Sequence, residues 1–435
     1  MNDFYNIRGH EVFISDARKL LISTLEEFLS VEVKLYFKPI FELLDYNVDI
    51  SQNPERSVYQ IDTNNVIIIS HASVGEERYY LGIKLTATKI ANLTKIFNSI
   101  SRGVTSCLTQ CANWQFTNSI AEVGDRLIVR IISFFFDTGR FPIANMMHVI
   151  EKFIALRSTT FEGKHFSTGL IVTNSFHEYK KVGAKGRNGL LLSLNRHMDY
   201  FSRIDNRYWY LADGFRTFYV TNLKSSIKNI FVYERIDGNH FMNMVLYSAI
   251  KGGDVLVRTE GGREVSVISS DGIEFVNQEN TWRYRDYELL KERIIKEVAL
   301  DDDVYNSLLY YVLFCSKNDI SSLIWIPKDI KSYKESLKEG TVNKLARTSF
   351  KITDQSYSSL VKRMLSSDGA TVIRSSGEIE AFGCMVDMTG AEPTGIKGTG
   401  ETAAGMLAKN GFAIKISQDG TIKVFLNGRD KAIKF

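Results

Sequence analysis

Two glycine-bearing segments carry the residue types best suited to chemistry in this chain: Ser366-Ser367-Asp368-Gly369-Ala370 and Gly398-Thr399-Gly400-Glu401-Thr402-Ala403-Ala404. A glycine-rich loop that opens a helix presents unpaired backbone N–H groups and the positive end of the helix dipole, which suits a phosphate. An aspartate on a tight turn suits a metal ion. Side by side they describe a nucleotide site, because Mg, or Mn in its place, is normally held by one or two carboxylates plus phosphate oxygens. Asp368 is then the metal ligand, and Gly369, Ala370, Gly398, Thr399, Gly400, Glu401 and Thr402 complete the nucleotide-binding set.

Plainer readings compete with this one. Asp-Gly is the usual signal for a two-residue hairpin loop, and the sequence has such pairs at Asp213-Gly214, Asp237-Gly238, Asp271-Gly272, Asp368-Gly369 and Asp419-Gly420. Asp368 differs in following a helical stretch marked by Leu360, Val361, Met364 and Leu365, so it sits at a helix-to-strand junction. Gly398 to Ala403 also fits the dinucleotide fingerprint G-x-G-x-x-A. That fingerprint needs a strand running into its first glycine, whereas Thr389 to Lys397 reads as an irregular loop with Pro393 and Gly395. A second candidate anion loop runs from Lys180 to Gly189, with Lys180, Lys181, Lys185 and Arg187 among glycines; a solvated hairpin loop has the same composition. His177, His197 and His240 have no spaced carboxylate or serine partner, and no G-x-S-x-G, H-E-x-x-H or Walker pattern occurs.

Between the two segments, Thr371 to Ile373 and Glu378 to Met388 alternate around Ser375-Ser376-Gly377, which predicts strand, turn and strand. Glu401 to Asn410 is predicted as a short helix closed by Gly411, with Thr399 or the glycines at its start. Phe412 to Ser417 and Thr421 to Leu426 follow as strands around Gln418-Asp419-Gly420. Upstream, Ser321 to Pro327 (SSLIWIP) reads as a strand and Tyr357 to Ile373 (YSSLVKRMLSSDGATVI) as a helix running into the D-G-A segment.

In order and spacing, this last third of the chain resembles the diadenylate cyclase domain, where a strand like GALIVI, a helix with a D-G-A segment, a hairpin and the motif G-T-R-H-R-A-A follow one another. The resemblance implies a mixed central sheet flanked by helices, an adenine nucleotide or cyclic dinucleotide as ligand, and Mg or Mn at Asp368. It also exposes a departure. Where the family motif has Arg-His-Arg, this chain has Gly400, Glu401 and Thr402, so the cations expected on a triphosphate are missing and, of the motif's polar side chains, Thr399 alone is kept in place. Phosphoryl transfer depends on positioning and charge neutralisation. The chain is therefore similar to divergent domains of this kind proposed as sensors in bacterial conflict systems, and a nucleotide-binding sensor is the expectation. One alternative is an active cyclase making cyclic di-AMP from ATP, with Asp368 and Glu401 as catalytic carboxylates and cations from Lys397 or the Lys180 to Arg187 loop. The other is a scaffold whose glycines only make turns. With Glu401 standing where the family has a base, the pocket is expected to prefer a ligand less anionic than a triphosphate.

The remaining sequence must position this site. Its 435 residues suggest two or three domains, and 44% apolar, 12% aromatic and 24% charged residues of mixed sign describe an ordinary soluble globular protein. A net charge of +4 over this length does not announce nucleic acid. Cys107, Cys111, Cys315 and Cys384 lack clustered partners and fit a reducing cytoplasm; Cys107 and Cys111 share a helix face but have no second pair for zinc. No signal peptide is read at the start, and the most apolar run, Leu127 to Phe136, is broken by Arg130, so no membrane partner is expected. A homo-oligomer is compatible with all of this.

The class expected is a multidomain α/β and α+β protein. Residues 1–157 are read as a mixed α/β domain: a helix from Ser15 to Leu29, strands Val58 to Ile61, Val66 to His71 and Tyr79 to Leu85 with a loop from Ser73 to Arg78, a helix from Thr86 to Ile100, a buried strand from Leu127 to Phe136, and a helix from Pro142 to Leu156. Residues 158–285 are read as β-rich, with strands at Gly169 to Thr173, Tyr208 to Tyr219, Ile230 to Tyr233, Val255 to Arg258, Val265 to Ile268 and Ile273 to Val276. Residues 286–435 are read as the nucleotide-binding domain, entered through a charged helix from Trp282 to Ala299 and a second, capped by Asp301, Asp302 and Asp303, through Phe314.

Overall fold

The computed structural model describes residues 21–37, 58–60, 65–74, 77–86, 94–113, 120–137, 142–175, 179, 189–198, 206–223, 227–233, 250, 253–345, 350–389, 398–427 and 432–435. The candidate anion loop with Lys180, Lys181, Lys185 and Arg187 lies outside them, as do Lys397, Asp237 and Gly238. Helices and mixed sheets combine in two compact units, in line with the multidomain α/β and α+β class. The first draws on Met1–Tyr233, Ile250–Ser270 and Glu274–Tyr284; the second on Glu234–Ala249, Asp271–Ile273 and Arg285–Phe435. No helix among the described residues is long and apolar enough to cross a membrane.

In the first unit, a helix over residues 21–29 (α1) precedes an antiparallel sheet of β1 (Val33–Phe37), β2 (Val58–Gln60), β3 (Asn65–Val74) and β4 (Glu77–Thr86), ordered β1-β4-β3-β2. Strands β3 and β4 run further toward each other than the expected loop allows, up to Val74 and from Glu77. Strand β4 ends at Thr86, and the next helix, α2, spans Thr94–Asn113. Ser101 on α2 donates to the Ile69 carbonyl at 2.6 Å, and Ser70 of β3 donates to the Ser101 carbonyl at 3.1 Å, tying helix to sheet. Gly103 lets α2 approach α3 (Ile120–Phe135): a Cβ there would meet Cγ1 of Ile131 at 2.5 Å. The run from Leu127 to Phe136, expected as a strand, is thus the body of a helix. Every residue from Leu127 to Ser133 is buried, Arg130 included, so the apolar run looks continuous, and the helical period shows only in the spacing of Arg126, Arg130 and Ser133. Helix α4 (Ile143–Arg157) starts after Pro142, whose φ of −64° suits the first turn.

A hairpin of β5 (Thr160–Phe161) and β6 (Lys164–His165) leads to an eight-stranded sheet. Its strands are β7 (Thr168–Val172), β8 (Gly189–Met198), β9 (Thr217–Thr221), β10 (Ile227–Tyr233), β11 (Val255–Glu260), β12 (Glu264–Ser269), β13 (Ile273–Gln278) and β14 (Thr281–Asp286), ordered β14-β13-β12-β11-β7-β9-β10-β8. Tyr208 and Trp209, expected in a strand, belong to a single helical turn, α5 (Asn206–Trp209). The extended run is interrupted by Asp213, whose Oδ1 accepts from the N–H groups of Phe215, Arg216 and Thr217 at 2.7–2.8 Å, and by Gly214 at φ +68°. Trp282 to Asp286, expected as the start of a helix, is instead β14. Glu279 and Asn280 both take left-handed backbone (φ +50° and +64°), the geometry of a two-residue hairpin turn, although Glu-Asn is not a residue pair that announces one.

The second unit opens with α6 (Tyr287–Glu297), where the Asp286 carboxylate accepts from the Leu289 N–H at 2.8 Å. Helix α7 (Asp302–Lys317) follows, with Asp301 at its N-cap making no side-chain cap bond and Asp302 and Asp303 in the first turn, where they favour the dipole. Then come β15 (Ser322–Pro327), α8 (Ser358–Leu365), β16 (Ala370–Ile373), β17 (Ile379–Cys384), α9 (Thr399–Leu407), β18 (Gly411–Ile416), β19 (Ile422–Leu426) and β20 (Ile433–Lys434). They form one mixed sheet, β17-β16-β15-β18-β19-β20, with β15 and β16 parallel and the other pairs antiparallel. Both faces are covered. Ile324 and Ile326 enter a core with Leu308, Val312, Val361 and Leu365 from α7 and α8, while Leu323 and Trp325 enter another with Ala403, Ala404 and Leu407 from α9. That two-residue alternation, buried on either side, explains why β15 reads as an unbroken apolar run.

An irregular segment lies along the outer edge of β17. Asn343 bridges to Phe382, Leu337 to Val386 and Lys351 to Glu378. Glu380 of β17 fastens it, accepting from Tyr333 Oη at 3.1 Å and from Arg374 Nε at 2.7 Å and pairing with Lys344.

Candidate functional site

Strand register assembles the site. Ala370 of β16 pairs with Cys384 of β17 on one side and Leu323 of β15 on the other, and Leu323 pairs in turn with Lys415 of β18. One row therefore crosses four strands at a single level, each step about 4.8 Å. The turn before β16 and the first turn of α9 meet over this row. Between them lies a cavity of about 480 Å³, within the range of small-molecule sites.

Asp368, Gly369, Thr399 and Gly400 all line it, so two sequence segments some thirty positions apart share one space. Asp368 is exposed at the rim. Gly369 has φ +101°, and a Cβ there would lie 2.7 Å from the Cys384 carbonyl oxygen; only glycine lets this turn rest on the end of β17. Ser366 and Ser367 donate back to the carbonyls of Arg363 and Met364, at 2.8 and 2.5 Å, and so close α8.

The other expected residues take different places. Ala370 is buried within β16, and Gly398 is the N-cap of α9, which it leaves without a side-chain cap. The N–H groups of Glu401 and Thr402 already donate to the Gly398 carbonyl, at 3.0 and 3.2 Å, so the first-turn donors that the uncapped start keeps for a ligand are those of Thr399 and Gly400. Thr402 donates from Oγ1 to the Gly398 carbonyl at 3.4 Å. Glu401 pairs its carboxylate with Lys423 of β19 and is not among the cavity-lining side chains.

Several lining residues escape the motif-based reading: Lys415, Lys338, Ser321, Met385 and Met388. Lys415 donates from Nζ to Ser321 Oγ at 2.6 Å. Burial pushes its ammonium below the ordinary lysine range, partly offset by the negative charges of Asp368 and Glu401. A signal for it exists in the sequence, because Lys415 interrupts the inward face that β18 shares through Ala413. Lys338 reaches the cavity on the irregular edge segment, its N–H donating to the Met385 carbonyl at 2.8 Å, and no local pattern marks it.

Among the described residues, no three His, Cys, Asp or Glu side chains gather as a metal-ligand set. Among the described residues Asp368 is the one carboxylate lining the cavity, which fits Mg or Mn in the mode where phosphate and water supply the other ligands. No model of a known protein family matches this chain, and no curated protein matches it either.

Proposed function

We propose that the second unit binds an adenine nucleotide or a cyclic dinucleotide and acts as a nucleotide sensor in the cytoplasm, without efficient turnover. The observation that carries this reading is the cavity shared by the Asp368 turn and the uncapped first turn of α9. Polar groups for phosphate line one part of it, while Leu323, Val386, Met385 and Met388 offer apolar surface for a base. The resemblance of Ser321 to Ala404 to the diadenylate cyclase domain supports the choice of an adenine ligand. Asp368, together with ligand phosphate, would hold Mg or Mn, which supplies charge neutralisation. The absence of Arg-His-Arg at Gly400, Glu401 and Thr402 supports binding over catalysis.

One observation favours the alternative of an active diadenylate cyclase. Lys415 and Lys338 bring two cations to the cavity from outside the glycine motifs. A single assay separates the readings: the purified chain is incubated with ATP and Mg or Mn, and both bound nucleotide and cyclic dinucleotide are measured. Bound nucleotide with no more product than an Asp368→Asn variant is expected. Robust product that disappears in that variant would establish the cyclase, and no bound nucleotide of any kind would leave the scaffold.

A further inference from the structure

Lys415 is placed in a way that the nucleotide reading alone does not require. Its register partner on β19 is Lys423, and like charges directly opposite on neighbouring strands repel. Lys423 is compensated by its ion pair with Glu401. Lys415 is half-buried and has no such compensation: among the described residues its hydrogen bond goes to the neutral hydroxyl of Ser321, and Asp368 and Glu401 act on it only from beyond ion-pair distance. An ammonium that loses water without gaining a carboxylate is costly unless an anion completes it. Ser321 Oγ accepts from Lys415 and so keeps its own hydrogen for a second acceptor. Gly400 supplies the room, since a Cβ there would stand 2.8 Å from Lys415 Cε.

Resting on the nucleotide reading above, we infer that Lys415 and Ser321 form the phosphate-binding pair of this cavity, and that the pair selects a ligand with a single phosphate group, a nucleoside monophosphate or a phosphodiester, over a nucleoside triphosphate. Charge fixes the class. With Glu401 occupied by Lys423, the charged side chains lining the cavity among the described residues are Lys338, Lys415 and Asp368, a single net positive charge when all are ionised. One phosphodiester balances that charge and a phosphomonoester exceeds it by less than one further charge, whereas a metal-free triphosphate overloads it and meets Asp368.

The test is calorimetric titration of the full chain with adenosine, AMP, ATP and phenyl phosphate, all without metal, on wild type, Lys415→Met, Lys415→Arg and Ser321→Ala. Lys415→Met is expected to weaken AMP and phenyl phosphate by about 10- to 100-fold, the range for a hydrogen bond to a charged group, and to leave adenosine unchanged. Lys415→Arg should keep most of the affinity, and thermal melts of each variant show whether it is folded. ATP should bind no tighter than AMP. An unchanged AMP affinity in folded Lys415→Met, or an equal loss for adenosine, overturns the pair, as does metal-free ATP outcompeting AMP. Phenyl phosphate bound through Lys415 with no adenine ligand bound would sink the nucleotide reading and keep the pair. Adenosine and AMP bound alike, with no phenyl phosphate bound, would do the reverse. If nothing binds, both fall.

Discussion

Gly369 sets the geometry of the cavity by what it lacks. Its φ of +101° is open to glycine and strained for any side chain, and a Cβ would press on the carbonyl of Cys384. Gly369→Ala should therefore cost about 2–3 kcal/mol of stability and move Asp368 off the rim. Urea unfolding measures this, and an unchanged midpoint would mean that the turn is not held as described. Lys415 makes a second prediction at this scale. It is faced by Asp368 from the turn, Glu401 from α9, Lys423 from β19 and Lys338 across the cavity, and burial leaves its pKa below the ordinary lysine value of about 10.4. Phosphate affinity needs the protonated form, so AMP binding should weaken as pH rises through the depressed folded value, earlier than an ordinary lysine would allow. Stability moves the other way. Between the folded and the ordinary value the unfolded chain holds more protons, so the free energy of unfolding rises with pH across that window. Titrations from neutral to alkaline pH check both trends, and Lys415→Arg should abolish the first.

At the scale of elements, the edge of β17 depends on one carboxylate. Burial by itself would raise the pKa of Glu380, but hydrogen bonds from Lys344 and Arg374 bring it below the usual carboxylate range. A depressed folded pKa contributes stability above the unfolded value of about 4.3, and that contribution is lost as pH falls through the folded one. Both cationic partners are more than two-fifths exposed, so the expected cost of Glu380→Gln at neutral pH is modest, about 1 kcal/mol. Unfolding curves at pH 7 and pH 3 should show the variant and wild type converging in acid. A gap that stays constant would assign the effect to packing of Tyr333 instead. Because the same edge segment carries Lys338, the variant should also weaken phosphate binding slightly.

At the scale of the whole molecule, both cores of the second unit, among the described residues, are built from residues between Tyr287 and Phe435. A fragment Arg285–Phe435 should accordingly fold alone with a cooperative urea transition and keep the phosphate affinity of the full chain. Within it, Leu308→Ala should cost about 3 kcal/mol, because a fully buried leucine on α7 leaves a cavity against the sheet. Circular dichroism of the fragment, with and without the substitution, tests this; a broad, non-cooperative melt would show that the remaining chain completes the fold.

Much of this was legible in the chain because it depends on local chemistry. Pro142 starts a helix by its fixed φ, Gly411 ends one at φ +121°, and the alternation of Phe412 to Ile416 gives a strand with two known faces. The glycine segments also announced themselves, since a turn such as that at Gly369 admits no other residue. The sequence misleads where an apolar run is continuous, since Leu127 to Ser133 of α3 is buried throughout, and where a turn lacks its usual residues, since β14 follows a left-handed turn made by Glu279 and Asn280. What the tertiary structure alone decided is the composition of the cavity. Alternation says which face Lys415 occupies, but not that β18 lies beside β15 with Lys415 opposite Leu323, nor that Glu401 meets Lys423 instead of the cavity. Those neighbours are fixed by strand order and register, which follow from the packing of both sheet faces at once, and no local stretch of sequence contains that information.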